Sequence, residues 1–207
     1  MRFKDNDKII LIGDSITDAG RRSDPDQIGD GYFQLLRGYY VTTYPELKLN
    51  FINKGFDGNR VSDLSSRWSA DIIDQQPDWI SVSIGINDVW RQLDNANMDH
   101  IYPEDFQRIY SEILTRVKEE TNAQMILMEP TIIEEDLDSK GNQLLIPYVN
   151  IVRDLAKQFD AVLVPTHQAF RKFLEVDPGY PLTTDGVHMT SIGNMLLMNT
   201  WIKTIHS

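Results

Sequence analysis

Lys8-Ile9-Ile10-Leu11-Ile12-Gly13-Asp14-Ser15 is the stretch on which the fold turns. Residues 9–12 are consecutive large aliphatics with no polar alternation. That pattern belongs to a strand covered on both faces, as in a parallel sheet flanked by helices. The run stops at Gly-Asp-Ser, residue types that favour turns and helix caps. A strand that delivers a turn at its carboxyl end is the unit from which open α/β sheets are built.

Four more runs of the same kind follow outward from this one, at residues 49–53, 79–84, 125–129 and 161–164, each short and rich in Ile, Val or Leu. Segments of helical period separate them, at residues 32–44, 62–75, 102–121, 144–159, 167–175 and 190–203. Ser62 and Thr190 are suited to cap two of these helices, and Pro103 to occupy a first turn. The alternation predicts a flavodoxin-like, three-layer α/β/α sandwich with about five parallel strands, formed by one domain over residues 1–207. In such sheets ligands sit beyond the carboxyl ends of the strands, which selects the loops to search for chemistry.

Composition narrows the partners. The 207 residues carry a formal net charge of −11 and no cysteine. A negative field repels nucleic acid and anionic lipid surfaces and favours neutral substrates. The missing cysteines remove disulfides, thiolate metal sites and thiol nucleophiles together. Residues 9–12 are too short a run for a secretory h-region, and no apolar stretch reaches the roughly 20 residues of a membrane span. The expectation is a cytoplasmic protein with no nucleic-acid or membrane partner.

Ser15, placed at the end of the first strand, presents a hydroxyl at the functional edge. A helical turn starting there would also aim free N–H groups at a bound ligand. Taken alone, a serine in this position serves equally well as an N-cap. A serine nucleophile needs a base. His206 lies at the terminus, His100 lies in an Asn/Asp-rich loop, and His167 has no acidic residue near it in sequence. His188 closes Asp185-Gly186-Val187-His188, where a turn can bring a carboxylate to Nδ1 and leave Nε2 free to take a proton. Two further loops after strand ends offer hydrogen-bond donors for an oxyanion. These are Gly58, within Asn53-Lys54-Gly55-Phe56-Asp57-Gly58-Asn59-Arg60, and Asn87, within Gly85-Ile86-Asn87-Asp88. Gly and Asn are equally at home there as turn residues.

As a set, Gly-Asp-Ser-Ile, Gly58 before Asn59-Arg60, Gly-Ile-Asn-Asp and Asp-Gly-Val-His resemble the four blocks of the SGNH, or GDSL-type, hydrolases. Ile16 stands where the name-giving motif has Leu. The resemblance spans Gly13 to His188. It implies Ser15 as nucleophile, His188 as base and Asp185 as the carboxylate that orients it. It further implies an oxyanion hole formed by the Ser15 and Gly58 N–H groups and the Asn87 amide. The run Gly85-Ile86-Asn87-Asp88-Val89-Trp90-Arg91-Gln92, with Asn53-Lys54-Gly55, Arg67-Trp68 and Pro77-Asp78-Trp79, is most similar to bacterial SGNH acetylxylan esterases. Met189 follows the histidine where those esterases commonly carry proline. The implied substrate is a small ester, an acetylated saccharide such as a xylo-oligosaccharide, with Asp14, Trp90 and Arg91 as candidate substrate contacts. Relatives of this kind often form homo-oligomers, though no segment here declares an interface.

Two other readings stay open: a GDSL-type lysophospholipase or thioesterase acting on longer acyl chains, and a non-catalytic carbohydrate-binding module. Asp88, Asp185 and His188 could in principle ligate a metal, but no His-x-x-x-His spacing or phosphate-cradling glycine loop accompanies them. No metal or cofactor is expected.

Overall fold

The computed structural model describes residues 3–95 and 97–207. Strand β1 (Lys8–Gly13) is followed by a single helical turn, α1 (Ser15–Asp18), and by α2 (Tyr32–Thr43). Next come β2 (Asn50–Gly55), α3 (Val61–Trp68), β3 (Trp79–Ser83), α4 (Ile86–Asp94) and α5 (Pro103–Glu120). The chain ends with β4 (Gln124–Met128), α6 (Lys140–Gln158), β5 (Val162–Val164), α7 (Thr166–Val176) and α8 (Ser191–His206).

All five strands pair in parallel in the order β2-β1-β3-β4-β5. β1 is hydrogen-bonded on both sides and Ile9, Ile10, Leu11 and Ile12 are fully buried, which is why their sequence does not alternate. β2 lies at an edge and does alternate, exposing Asn50 while burying Phe51. One helix layer joins α2, α8 and α7, and the other joins α3, α5, α6 and α4. The Trp201 indole N–H donates to Ser81 Oγ at 3.0 Å, pinning α8 to the middle of β3 and satisfying two buried polar groups at once. Among the described residues no helix is long and apolar enough to cross a membrane.

The departures from the sequence reading have local causes. β2 continues two residues past Asn53 because Lys54 and Gly55, poor strand formers, are held in register by Ile12 and Gly13. Ser62 lies inside α3 rather than capping it. The helix begins at Val61, and the Asp63 carboxylate accepts the Arg60 N–H at 2.8 Å. Residues Ser69–Ile73 then continue in π geometry. α4 lies outside the segments of helical period, because Asn87 and Asp88 in its first turn are buried and bonded to the Asn59 and Val61 backbone where α3 begins. α6 starts ahead of residue 144 because Ser139 caps it, accepting the Asn142 N–H at 3.2 Å. Thr190 caps α8 as expected, accepting the Gly193 N–H at 3.2 Å.

β1 is the turning point of the sheet. The chain leaves it to one side for β2 and returns to the other side for β3. The crevice formed at such a reversal is where α/β sheets bind ligands, and close backbone packing shapes it here. A β-carbon on Gly55 would sit 2.5 Å from the Thr17 carbonyl carbon and 2.6 Å from Asp18 Cα. Gly55→Ala therefore has to push α1 off the end of β2. Overpacking of this kind costs about 1–3 kcal/mol. A lowered urea midpoint with an unchanged m-value is the expected result, and an unchanged midpoint would show that α1 yields freely.

Candidate active site

Ser15 is the first residue of α1, directly beyond β1. Asp14 caps the turn, its Oδ1 accepting the Ile16 N–H at 3.0 Å. Gly13 is required for space rather than for a left-handed backbone. A β-carbon there would lie 2.7 Å from Thr17 Oγ1 and closer still to the Ser83 carbonyl oxygen of the neighbouring strand. The turn is thus seated against β3 with its serine facing outward. Neither the Ser15 N–H nor the Gly58 N–H has a hydrogen-bond acceptor among the described residues.

His188 arrives from the loop between α7 and α8. Its Nε2 stands 2.9 Å from Ser15 Oγ, and its Nδ1 stands 2.6 Å from Asp185 Oδ2. Asp185 can only accept, so Nδ1 carries the proton and Nε2 is left as the acceptor for the serine hydroxyl. The other carboxylate oxygen of Asp185 accepts the backbone N–H of Val187 at 3.0 Å and of His188 at 2.8 Å. Partial burial alone would raise the Asp185 pKa, but the hydrogen bonds from the His188 ring and these N–H groups outweigh it and hold the carboxyl below its ordinary value. The side chains of His188 and Asp185 are 37% and 45% exposed, so the pair orients the ring and adds little stability.

The loop has its own anchor, which the sequence did not disclose. Glu135 Oε1 accepts from the Leu182 N–H at 2.7 Å, the Thr183 N–H at 2.7 Å and the Thr183 hydroxyl at 2.9 Å. Gly186, at φ +93°, returns its carbonyl to the Glu134 N–H at 2.7 Å. Thr183 and Met189 form an antiparallel bridge that closes the loop base.

Gly58 adopts φ +75°, and no atom lies within 4 Å of where its β-carbon would be. Its glycine answers a backbone requirement and leaves its N–H side open. Asn87 sits in the first turn of α4, 1% exposed. One amide hydrogen goes to the Asn59 carbonyl at 3.1 Å and Oδ1 accepts from Arg91 at 3.4 Å, leaving the second amide hydrogen without a protein partner. Asp88 ties the same two loops, its Oδ1 accepting the Val61 N–H at 3.1 Å. Burial pushes the Asp88 carboxyl up to about 7, with the buried Asp14 carboxyl adding to the shift, and its Oδ2 has no partner. A protonated carboxyl is the form such a site accommodates.

Asp14 is not on the substrate side. It is 1% exposed beneath the serine turn, and burial raises it too, to about 7. Trp90 does border the site, its ring meeting that of His188 edge-on with centroids 5.8 Å apart. The Arg91 guanidinium lies 4.8 Å from the Trp90 centroid and pairs with Asp94. A cleft of about 490 Å³ opens beside the serine, lined by Ser15, Asp18, Ala19, Gly20, Arg22, Ser23, Asp57 and His188. Its wall is fixed by Asp18, which accepts from Arg22 Nε at 3.0 Å and the Asp57 N–H at 3.2 Å, while Arg22 lies 4.0 Å over the Phe56 ring. Asp18, Arg22 and Phe56 were not singled out from the sequence, where nothing distinguishes them from surface residues.

The remaining histidines stand elsewhere. His100 bonds the Asn95 carbonyl, His206 bonds Tyr40, and His167 is buried against the Thr131 carbonyl. Among the described residues no group of three or more His, Cys, Asp or Glu is placed to hold a metal ion.

Comparison with known proteins agrees with this geometry. Residues 11–196 match the GDSL-like Lipase/Acylhydrolase family. An acetylxylan esterase of Geobacillus stearothermophilus is 34% identical, over 99% of this chain and 96% of the relative. The crystal structure of that organism's Axe2, an acetylxylan esterase, superposes with a TM-score of 0.93 at 34% identity, covering 100% of this chain and 97% of the other. LAE5, an alpha/beta hydrolase enzyme from the metagenome of Lake Arreo, gives a TM-score of 0.92 at 32% identity, covering 99% and 97%.

The raised Asp88 carboxyl has a signed consequence for stability. The unfolded group titrates near 3.8 and the folded one near 7, so across that window the folded state binds more protons. Stability therefore falls as pH rises through the window. Asp88→Asn removes that titration, and its urea midpoint should gain on the wild type between pH 4 and pH 7, a range set by those two values. A constant difference would show that Asp88 is ionised in the folded protein.

Proposed function

The chain belongs to the GDSL-like lipase/acylhydrolase family, and on that footing we propose that it is a serine esterase removing acetyl groups from saccharides, with one domain over residues 1–207 carrying the whole activity. Carboxylic ester hydrolysis follows from the family and from the full-length relationship to an acetylxylan esterase. The continuous hydrogen-bonded line from Asp185 through His188 to Ser15 carries the assignment of residues.

In this mechanism Ser15 Oγ attacks the ester carbonyl carbon while its proton passes to His188 Nε2. The negative charge that develops on the carbonyl oxygen is met by the Ser15 N–H, the Gly58 N–H and the free Asn87 amide hydrogen. Collapse breaks the bond to the sugar oxygen, which takes the proton back from His188. Water then attacks the acetyl-Ser15 ester with His188 again as base, releasing acetate and restoring the serine. Asp185, held ionised below the usual carboxylate range, keeps the ring in the tautomer that accepts at Nε2.

The character of the cleft supports a short acyl group and a polar leaving group. Its lining is mainly polar or charged, Asp18, Arg22, Ser23 and Asp57 among them, and Trp90 stands beside the imidazole as a flat surface suited to a sugar ring. The described cleft beside Ser15 is polar-walled, unlike the extended apolar groove that a long acyl chain requires. A neutral acetylated xylo-oligosaccharide also suits an acidic chain, and the cytoplasm suits a substrate small enough to be imported.

Ser15→Ala and His188→Ala should each lower kcat by several orders of magnitude, and Asn87→Ala by about 10²–10³ with KM little changed. Hydrolysis of p-nitrophenyl acetate should greatly exceed that of the octanoate. The reverse preference would favour a lipid-directed enzyme, and full activity in Ser15→Ala would end the assignment. On the acid side, kcat/KM should fall, because a protonated imidazole cannot take the serine proton, while Asp185, held below the ordinary carboxylate range, goes on orienting the ring. A flat profile from mildly acidic to neutral pH would remove His188 as the base.

A further inference from the structure

A second cavity, of about 370 Å³, opens between α6 and α7 at the carboxyl ends of β4 and β5. It shares no lining residue with the serine cleft and lies further along the sheet, across β3 from β1. Its walls carry Arg153, Arg171 and Lys172 against the single carboxylate of Glu175, a concentration of positive charge in a chain whose net charge is −11.

The cations differ in how far they are already engaged. Arg153 Nε is bound at 2.6 Å to Glu129, which is 1% exposed beneath the cavity and also accepts the Gln168 N–H at 3.1 Å. Arg171 makes no ion pair or hydrogen bond among the described residues, although its charge reaches His167 one turn earlier on α7. His167 is 4% exposed. Its Nδ1 meets the Thr131 carbonyl, which can only accept, so Nδ1 carries the hydrogen. Burial depresses the pKa of this ring, outweighing the opposing pull of the Thr131 carbonyl and the Glu129 charge, with Arg171 and Arg153 pushing the same way as burial, and Nε2 has no protein partner among the described residues. An acceptor nitrogen that no protein donor serves, and that is open to the cavity, is one a ligand's hydroxyl can take.

We infer that this cavity binds a sugar acid, its carboxylate on the Arg171 guanidinium and one of its hydroxyls on His167 Nε2. The unpaired guanidinium is a two-pronged donor suited to a carboxylate. A bare imidazole nitrogen calls for an O–H donor, which acetate lacks; inorganic phosphate carries one but has no C–H face to lay on the apolar wall. Ile146 on the α6 side, 43% exposed, gives the apolar surface on which the C–H face of a pyranose rests. The inference is independent of the reaction at Ser15.

Calorimetric titration of the full-length protein with D-glucuronate, glucose, acetate and inorganic phosphate tests it. Glucuronate should bind, and acetate, glucose and phosphate should bind about tenfold more weakly or not at all. Arg171→Gln should weaken glucuronate about tenfold or more while leaving p-nitrophenyl acetate hydrolysis unchanged, which also shows that the variant is folded. His167→Phe, which keeps the ring volume and removes Nε2, should lower the preference for glucuronate over acetate. Equal glucuronate binding by wild type and Arg171→Gln, phosphate binding as tight as glucuronate, or no glucuronate heat at millimolar ligand would each overturn the assignment.

Discussion

Two glycines let three backbones meet where a side chain would keep them apart. At Gly13 the end of β1 is pressed against the carbonyl of Ser83 on β3, and at Gly55 the end of β2 is pressed against Thr17 and Asp18 of α1. The nucleophile's turn is thereby wedged between the strands on either side of the sheet's reversal, with almost no freedom to tilt. The position of every other group in the site is measured from that turn. The imidazole must reach it, the donor loops after β2 and β3 must surround it, and Asp14 must fit beneath it without contacting solvent.

Beneath the exposed chemistry lies a layer of buried carboxyl groups. Asp14 and Asp88 are both buried and both raised to about 7 by that burial, and the Asp14 charge adds to the rise at Asp88. Asp14 holds the serine turn and Asp88 joins the loops that carry Gly58 and Asn87. Such groups bring a desolvation cost that a hydrocarbon would not, and they give in return directional hydrogen bonds that fix loop geometry. The Asn59 carbonyl and the Arg91 side chain do similar work for the Asn87 amide, so the donor is preset before a substrate arrives.

The parts legible in the sequence were those whose signal is local. The unbroken aliphatics of residues 9–12 announced a strand buried on both faces. Asp185 and His188, three residues apart, announced a carboxylate within reach of a ring. The meeting of His188 with Ser15 across 173 residues came from the block pattern rather than from any spacing. Other features depend on tertiary burial and leave no local trace. Asp14 reads as a surface polar residue until the sheet closes over it. α4 begins inside the Gly-Ile-Asn-Asp run, whose glycine and asparagine read as a turn. Glu135 looks like one acid in an acidic stretch, and its role depends on Leu182 and Thr183 folding back over it.

That last contact has a consequence for how the protein responds to warming. The serine rides on the sheet, but the acid–base pair rides on a solvent-facing loop closed by one bridge and moored largely by one carboxylate. These two halves belong to regions of unequal local stability. Loss of that loop alone would silence the catalyst while the sandwich stayed intact, and activity would then return on cooling without the chain having to refold.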